Sequence, residues 1–300
     1  MGDRLLAHIA KHNERHLWSV AVFAYNEQDK IVACLKSILS ETCSANVQVY
    51  VLANGCTDET AEVVRQFATT QPALRLVEII MGDKANAWNV FVHEIALPSA
   101  IYFFVDGDVR LDKGAMARLA DKLQSSPDAY VVSGVPGSGR GRRKYKRLAL
   151  VERGVQGNLY CASGEFISRL RARGVRMPVG FVREDGLIGA MAKFDLDPMT
   201  VKWFDGRVEV CDGAQFLFEP MSWWRIGDWG KYYRRRIRYS IGHFENRMLR
   251  EIWRKDGIAG TPVSVTELYK ASPPPNLGWR GINTWFDWIA VRRINAKRAT

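Results

Sequence analysis

The chain has 300 residues, of which 47% are hydrophobic and 25% are charged, and these proportions exclude general disorder, collagen and a coiled coil. No apolar run approaches the ~20 residues of a membrane-spanning helix, and residues 1–16 are too polar for a signal-peptide core. The five cysteines form no CxxC pair, so we expect a reducing, cytoplasmic location and no zinc site.

Positive charge is concentrated near the C-terminus. The net charge is +11, but residues 1–222 carry 27 basic and 26 acidic side chains, whereas residues 223–300 carry 16 and 6. This distribution argues against a uniformly basic nucleic-acid-binding protein, and we expect no nucleic-acid partner. It predicts a nearly neutral domain over 1–222 and a basic extension over 223–300 whose partner is anionic.

Short apolar runs alternate with helical patterns in the first half of the chain. We predict strands at 18–24, 47–53, 74–80, 100–105 and 129–135, and helices at 27–39, 58–68 (capped by Thr57), 85–96 and 112–124. This alternation predicts an α/β fold with a mostly parallel sheet flanked by helices. Ligands of such sheets bind where strands end, so we expect a site in the loops after the first, second and fourth strands.

The second half of the chain is less regular. Residues 148–200 have helical character with glycine-rich breaks, and strands return at 207–211 and 215–218. Apolar residues recur at helical spacing over Trp229–Ile252, with basic residues between them, and a second basic amphipathic helix is predicted over Trp285–Arg298, after Pro273–Pro275. The first stripe fits a membrane interface or core packing equally well, whereas for the last helix we favour membrane binding or a dimer contact.

Two carboxylates follow the fourth predicted strand, because Asp106 and Asp108 are separated only by Gly107. Hard divalent cations take oxygen ligands and are often held by one or two carboxylates together with substrate phosphates. The spacing therefore predicts a Mg²⁺ or Mn²⁺ site that engages a diphosphate. A simple turn is the alternative, since Asp-Gly is common in turns.

Six short motifs, taken in order, resemble those of the family 2 inverting glycosyltransferases, which have the GT-A fold. They are Ala24–Glu27 (AYNE), Asn54–Thr60 (NGCTDET), Lys84–Asn89 (KANAWN), Asp106–Asp108 (DGD), Glu184–Asp185 (ED) and Arg235–Tyr239 (RRIRY). The resemblance covers about residues 18–240. It implies a GT-A, Rossmann-like domain and a metal-dependent hexosyltransferase. Such an enzyme moves a sugar from a nucleotide-diphosphate sugar to an acceptor hydroxyl, in the synthesis of a polysaccharide or lipid-linked glycan.

The resemblance also implies a role for each motif residue. The expected donor-binding residues are Asn26, Glu27, Asn54, Asp58, Lys84, Asn89, Asp106, Arg235 and Arg238. Asp108 and Asp106 would hold the metal ion. Asp185 would be the general base that takes the proton of the acceptor hydroxyl, and Glu184 would orient it.

The sequence departs from the family pattern at two points. Ala53 and Asn54 replace an acidic pair of which the first member is expected to read the base, so a UDP-sugar is the expected donor but the base stays open. Tyr239 replaces a tryptophan. Two other functions also stay open. A sugar-1-phosphate nucleotidyltransferase would need a glycine-rich signature after the first strand, and a non-catalytic basic adaptor for membrane or nucleic acid would not need the complete acidic motifs. The basic extension predicts a peripheral location on the cytoplasmic face of an anionic membrane.

Overall fold

The computed structural model describes residues 17–41, 46–139, 141–219, 226–273 and 276–299. The strands are β1 (Leu17–Ala24), β2 (Asn46–Asn54), β3 (Leu74–Ile79), β4 (Ile101–Asp106), β5 (Arg110–Leu111), β6 (Val131–Pro136), β7 (Leu159–Ser163) and β8 (Val208–Leu217). They form one 8-stranded sheet in the order β3-β2-β1-β4-β7-β6-β8-β5. The helices are α1 (Ile31–Leu39), α2 (Thr60–Ala68), α3 (Lys84–Val90), α4 (Ala115–Gln124), α5 (Arg142–Glu152), α6 (Gly164–Ala172), α7 (Glu184–Lys193), α8 (Ile226–Asp256), α9 (Val265–Ala271) and α10 (Asn283–Arg298).

The first half of the sheet is parallel. β1 pairs in parallel with β2 and β4, and β2 pairs in parallel with β3. Residues 101–105 of β4 are all buried, as expected for a strand covered by helices on both faces. The predicted α/β sheet flanked by helices is confirmed, and the ends of β1, β2 and β4 meet at one edge.

One central strand was not predicted. β7 lies between β4 and β6 and is antiparallel to both, in a region that we expected to be helical. Its short run, LYCAS, is almost entirely buried, and periodicity cannot distinguish such a run from a buried helical turn. Because β7 runs against β4, residues 157 and 158 arrive at the edge where β4 ends.

Local capping also differs from the prediction at α2. Thr57 is not the N-cap, because its backbone N–H and hydroxyl both contact the Asn26 side chain. Asp58 instead accepts hydrogen bonds from the backbone N–H and the hydroxyl of Thr60, at 3.0 and 2.6 Å. Helices α1 and α4 likewise begin a few residues later than predicted, and the two strands expected near residue 210 are one strand, β8.

The C-terminal helices share the main hydrophobic core. Phe244 and Met248 of α8 and Ile294 of α10 are buried in the same cluster as Phe104 of the sheet. The predicted domain boundary at residues 222 and 223 lies outside the described residues, as do residues 1–16 and two of the prolines in the 273–275 break. The two-domain division therefore stays a prediction. Within the described ranges, no helix is long and apolar enough to cross a bilayer.

Candidate active site

A partly buried lysine lies at the centre of the site. Lys84 opens α3, and its Nζ lies 2.5 Å from Asp106 Oδ1 and 2.9 Å from Glu184 Oε1. It also donates a hydrogen bond to the Gly157 carbonyl oxygen at 3.2 Å. Burial alone would lower the pKa of Lys84, but the two carboxylates raise it well above its ordinary value. Lys84 therefore stays an ammonium that joins the end of β4 to the start of α7.

The two aspartates are separated by a glycine that the backbone requires. The N–H of Gly107 bonds to the Phe23 carbonyl oxygen at 2.8 Å, and a Cβ at position 107 would lie 2.9 Å from that same oxygen. Any side chain there would push the loop away from β1. Gly107 thus lets Asp106 and Asp108 follow β4 directly.

Asp106 is held by two neighbours. Lys84 binds its Oδ1, and Asn158 Nδ2 donates to its Oδ2 at 2.9 Å. Burial raises the pKa of Asp106 to about 6, with Lys84 opposing this shift and the charge of Asp108 adding to it. The Asp108 carboxylate makes no hydrogen bond or ion pair with any other described residue.

This pair of carboxylates fits a hard cation that takes other ligands from its substrate. Two carboxylates one residue apart are a common anchor for Mg²⁺ or Mn²⁺, and Asp108 has its oxygens available. Among the described residues, no three His, Cys, Asp or Glu side chains gather closely enough to hold an ion by themselves. An ion held here would take its remaining ligands from water or from a bound substrate.

The second acidic motif begins α7. Asp185 Oδ1 accepts from the backbone N–H of Gly186 at 2.7 Å, and its Oδ2 accepts from the N–H of Gly157 at 3.3 Å. Burial and the neighbouring charge of Glu184 raise the pKa of Asp185, and Lys84 partly offsets the shift. A carboxylate with a raised pKa is a stronger base than an exposed one, which suits proton abstraction from a hydroxyl.

Gly157 and Asn158 are site residues that the sequence analysis missed. Gly157 contacts Lys84 through its carbonyl and Asp185 through its N–H. A Cβ at this position would lie 3.3 Å from both Lys84 Nζ and Asp185 Cβ. The sequence signal would have been a Gly-Asn pair placed at the sheet edge by a following strand, but β7 was not predicted.

The first loop is tied to the second. Asn26 has a left-handed backbone (φ 56°), and its Oδ1 accepts from the Thr57 N–H at 2.8 Å. Glu27 pairs with Lys30 at 3.3 Å, and burial together with the charge of Asp108 raises the pKa of Glu27. Glu27 thus lies close enough to Asp108 for the two charges to interact, whereas Asn26 connects the loops after β1 and β2.

Two residues expected to bind the donor are buried and hydrogen-bonded to neighbouring backbone. Asn54 is 4% exposed, and its Nδ2 donates to the Ala24 carbonyl oxygen at 3.0 Å. Asn89 is also 4% exposed, and its amide exchanges two hydrogen bonds of 2.8 Å with the backbone of Met177. Their amides stabilise neighbouring backbone, and their roles in donor binding stay predictions.

Asp58 is engaged in the same local way. Its carboxylate accepts hydrogen bonds from Thr60 and from the backbone N–H of Gln28. Burial would raise the pKa of Asp58, but these hydrogen bonds outweigh it and lower the value. Asp58 therefore connects the loops after β1 and β2 rather than extending from them.

Lys84 and its partners Asp106, Glu184 and Gly157 form what we call the Lys84 cluster, and the two arginines of the last motif lie outside it. Arg235 donates from Nε to the Tyr239 hydroxyl at 2.8 Å, and Arg238 is exposed. Helix α8 contacts the segment just before α7 at a later position, where Glu245 Oε2 accepts from the backbone N–H of Val182 at 2.9 Å. In the described part of the chain, neither Arg235 nor Arg238 forms a hydrogen bond or an ion pair with the Lys84 cluster.

Comparisons with known proteins find relatives in sequence and in fold. The curated glycosyltransferase AglE of Haloferax volcanii is 35% identical over 95 residues, which span 30% of this chain and 30% of that protein. The mannosyltransferase PcManGT of Pyrobaculum calidifontis, solved with GDP-Man and Mn²⁺, has a TM-score of 0.62 at 21% identity and covers 94% of this chain and 75% of its own. Glucosyl-3-phosphoglycerate synthase of Mycobacterium tuberculosis, solved with Mn²⁺ and UDP-Glc, has a TM-score of 0.49 at 19% identity and covers 75% and 78%.

The similarity to PcManGT shows that the fold is GT-A. The matched segment of AglE spans less than a third of that relative. The family model described as "Glycosyl transferase family 2" matches residues 19–178, from β1 to the segment before α7. Because this match covers more than half of the sequence, the chain belongs to glycosyl transferase family 2.

Proposed function

We propose that this protein is a metal-dependent, inverting hexosyltransferase that uses a nucleotide-diphosphate sugar. One observation carries the proposal: Lys84 joins Asp106 of the metal-binding motif to Glu184, the neighbour of the proposed base. The groups expected to hold the donor and to activate the acceptor thus belong to one hydrogen-bonded cluster. Membership of glycosyl transferase family 2 supports sugar transfer as the chemistry.

Donor binding is assigned to the edge formed by β1 and β4. Asp106 and Asp108 would hold Mg²⁺ or Mn²⁺, and a bound ion would stabilise the diphosphate as it leaves. The complex of PcManGT with GDP-Man and Mn²⁺ supports this class of donor and metal. Asn54 is buried and hydrogen-bonded to the Ala24 carbonyl oxygen, so the identity of the base stays open, and UDP- and GDP-sugars are the candidate donors.

Acceptor activation is assigned to Asp185. Its carboxylate would take the proton of the acceptor hydroxyl while that oxygen attacks the anomeric carbon opposite the diphosphate. The new glycosidic bond forms as the bond to the diphosphate breaks, so the anomeric configuration inverts. The N–H groups of Gly157 and Gly186 fix the carboxylate, and Glu184 is anchored on Lys84.

The acceptor is proposed to be a growing glycan or a lipid-linked glycan. The basic extension over residues 223–300 supports an acceptor at an anionic membrane, and we propose a peripheral position on the cytoplasmic face. Arg235 and Arg238 are proposed to bind the diphosphate of the donor. This role requires either that the bound donor extends toward α8 or that α8 moves toward Asp106 and Asp108.

A donor-hydrolysis screen tests the enzymatic proposal. UDP-, GDP-, CDP- and ADP-sugars are incubated with Mn²⁺, with Mg²⁺ or with EDTA, and release of the nucleoside diphosphate is measured. We expect metal-dependent hydrolysis of one donor and its loss in Asp108→Ala, with an unchanged melting temperature in the absence of nucleotide. If no donor is hydrolysed and no nucleoside diphosphate with Mn²⁺ raises the melting temperature, the adaptor alternative is favoured. Pyrophosphate release from a nucleoside triphosphate and a sugar phosphate would favour the nucleotidyltransferase.

A further inference from the structure

The first turns of α8 and the start of α10 form an exposed aromatic–arginine surface. We define it by Trp229, Tyr232, Tyr233, Trp285, Trp288 and Arg292. Trp229 and Trp285 are 56% and 59% exposed, so most of each indole faces water. Several large exposed aromatic side chains on neighbouring helices mark an interaction surface, since single exposed apolar residues are ordinary but clusters are not.

Contacts between the two helices hold α8 and α10 side by side at this surface. The Tyr233 ring packs on Phe286 of α10 with centroids 5.9 Å apart, and Arg236 lies 6.0 Å from the Tyr232 ring and 5.2 Å from that of Phe286. On α10 itself, Trp285 and Trp288 stack with centroids 5.6 Å apart. The aromatic rings are therefore arranged by helix packing and do not depend on a partner for their position.

The surface carries positive charge that the described residues do not neutralise. The guanidinium of Arg292 lies 4.7 Å from the centroid of the Trp288 ring. Along the described part of α8, Arg234 and Arg235 form no ion pair with a described carboxylate. Residues 223–300 as a whole have 16 basic and only 6 acidic side chains. The expected partner is therefore anionic.

The later half of α8 anchors the helix to the core. The later part of the same stripe, including Ile237, Phe244 and Met248, is fully or almost fully buried. Helix α8 is thus fixed to the core by one half and presents aromatic side chains with the other. Core packing accounts for the buried half, whereas the exposed half holds aromatic side chains at the surface, partly through the contact of Tyr233 with Phe286.

We propose that the aromatic–arginine surface docks this protein on an anionic lipid bilayer. Trp and Tyr side chains favour the headgroup region, where an apolar ring and a polar edge are both satisfied, and arginines bind lipid phosphates. A second copy of the chain would bring a surface of the same charge, so charge complementarity selects the lipid. This inference deepens the peripheral membrane position proposed above by naming the surface that binds, and its link to acceptor delivery rests on the proposed function. Lipid binding itself can be measured without sugar transfer.

Vesicle co-sedimentation of the full chain tests the proposal. Vesicles of phosphatidylcholine alone are compared with vesicles that also contain phosphatidylglycerol, at low and high salt. We expect binding to the anionic vesicles, weakened by salt, and about a tenfold loss of affinity in Trp285→Ala/Trp288→Ala. The control is Trp203→Ala/Phe204→Ala, which removes two aromatics of 48% and 47% exposure from the loop before β8 and should bind like the wild type.

A matched pair of charge variants locates the electrostatic contribution. Arg234→Gln/Arg292→Gln should reduce binding to anionic vesicles several-fold, whereas Arg142→Gln/Arg143→Gln removes the same charge from exposed α5 and should have little effect. Equal losses from the two variants would overturn the assignment to this surface.

Three further results would also overturn the proposal: equal binding to both vesicle types, wild-type binding by Trp285→Ala/Trp288→Ala, or a dimer that this variant dissociates. An oligonucleotide that binds more tightly than anionic vesicles and competes with them would assign the surface to nucleic acid instead. Donor hydrolysis is measured on the same proteins and should be unchanged, because no residue substituted here touches the Lys84 cluster. Failure of vesicle binding and failure of the enzymatic proposal are therefore separate results.

Discussion

Two regions of this molecule use positive charge in opposite ways. Lys84 is partly buried and lies between two carboxylates, so its charge is neutralised within the protein. On the aromatic–arginine surface, Arg292 lies over an indole ring and its charge faces outward. A charge taken from water needs a fixed partner, whereas an exposed charge does not. The compensated cation can therefore position other groups, and the uncompensated ones can attract a partner.

The largest expected effect is the loss of turnover when the proposed base, which lies beside Lys84, is removed. Asp185→Asn should lower donor turnover by ~10²–10⁴-fold, because the amide cannot take the acceptor proton. Stabilisation by nucleoside diphosphate and Mn²⁺ should persist, since Asp106 and Asp108 are untouched. Turnover and melting temperature are measured beside Asp121→Asn, a substitution at an exposed carboxylate of α4. Turnover within a few-fold of the wild type would exclude Asp185 as the base.

The next effect is a loss of stability, and it compares a partly buried lysine that is paired with two carboxylates with a more exposed one. Lys84→Met leaves the carboxylates of Asp106 and Glu184 without their cation, and we expect the free energy of unfolding to fall by about 3 kcal/mol. Lys30→Met, which breaks the more exposed pair with Glu27, should cost less than about 1 kcal/mol. Urea denaturation measures both. Similar values for the two variants would mean that burial does not distinguish these ion pairs.

A smaller effect is expected from adding a side chain at Gly157, which contacts both Lys84 and Asp185. Gly157→Ala places a methyl group near Lys84 Nζ and Asp185 Cβ, so we expect about a tenfold loss of kcat, as misplaced catalytic groups lose rate steeply. Gly154→Ala is the matched control, because a Cβ there meets nothing within 4 Å. Unequal kcat with similar melting temperatures would confirm a positioning role for Gly157, and equal kcat would refute it.

The smallest effect is a shift in pH dependence. Burial and the charge of Glu184 raise the pKa of Asp185, so the base is protonated and inactive up to a higher pH than an ordinary aspartate. Glu184→Gln removes one of these causes and leaves Lys84 less neutralised, and both changes lower the pKa. The acid limb of kcat should therefore move to lower pH. A limb that stays in place or moves upward would contradict the assigned coupling.

The sequence predicted the positions of the chemistry better than the contacts of each side chain. Parallel strands end at one edge, so motifs after β1, β2 and β4 had to meet there, and Lys84 does contact Asp106. Motif resemblance does not reveal which way a side chain faces, and Asn54 and Asn89 turn out to brace backbone. Gly157 was missed because it depends on the direction of β7, which a short buried run does not disclose.

The stripe over residues 229–252 shows another limit of periodicity. Helical spacing identifies which side chains share a face, but it does not say what covers that face. The same repeat is core at Phe244 and Met248 and exposed at Trp229. Only the packing of α8 against the rest of the chain separates the two halves.

The central position of β7 has a consequence for how this protein is made. β4 is an apolar strand that pairs with β1 on one side and with β7 on the other, yet the ribosome completes α4, β6 and α5 before β7. Until then, one edge of β4 offers unpaired backbone groups beside Tyr102 and Phe104, an arrangement prone to intermolecular strand pairing. We expect fragments that end before Ser163 to aggregate, so recombinant dissection of the donor-binding half should retain β7.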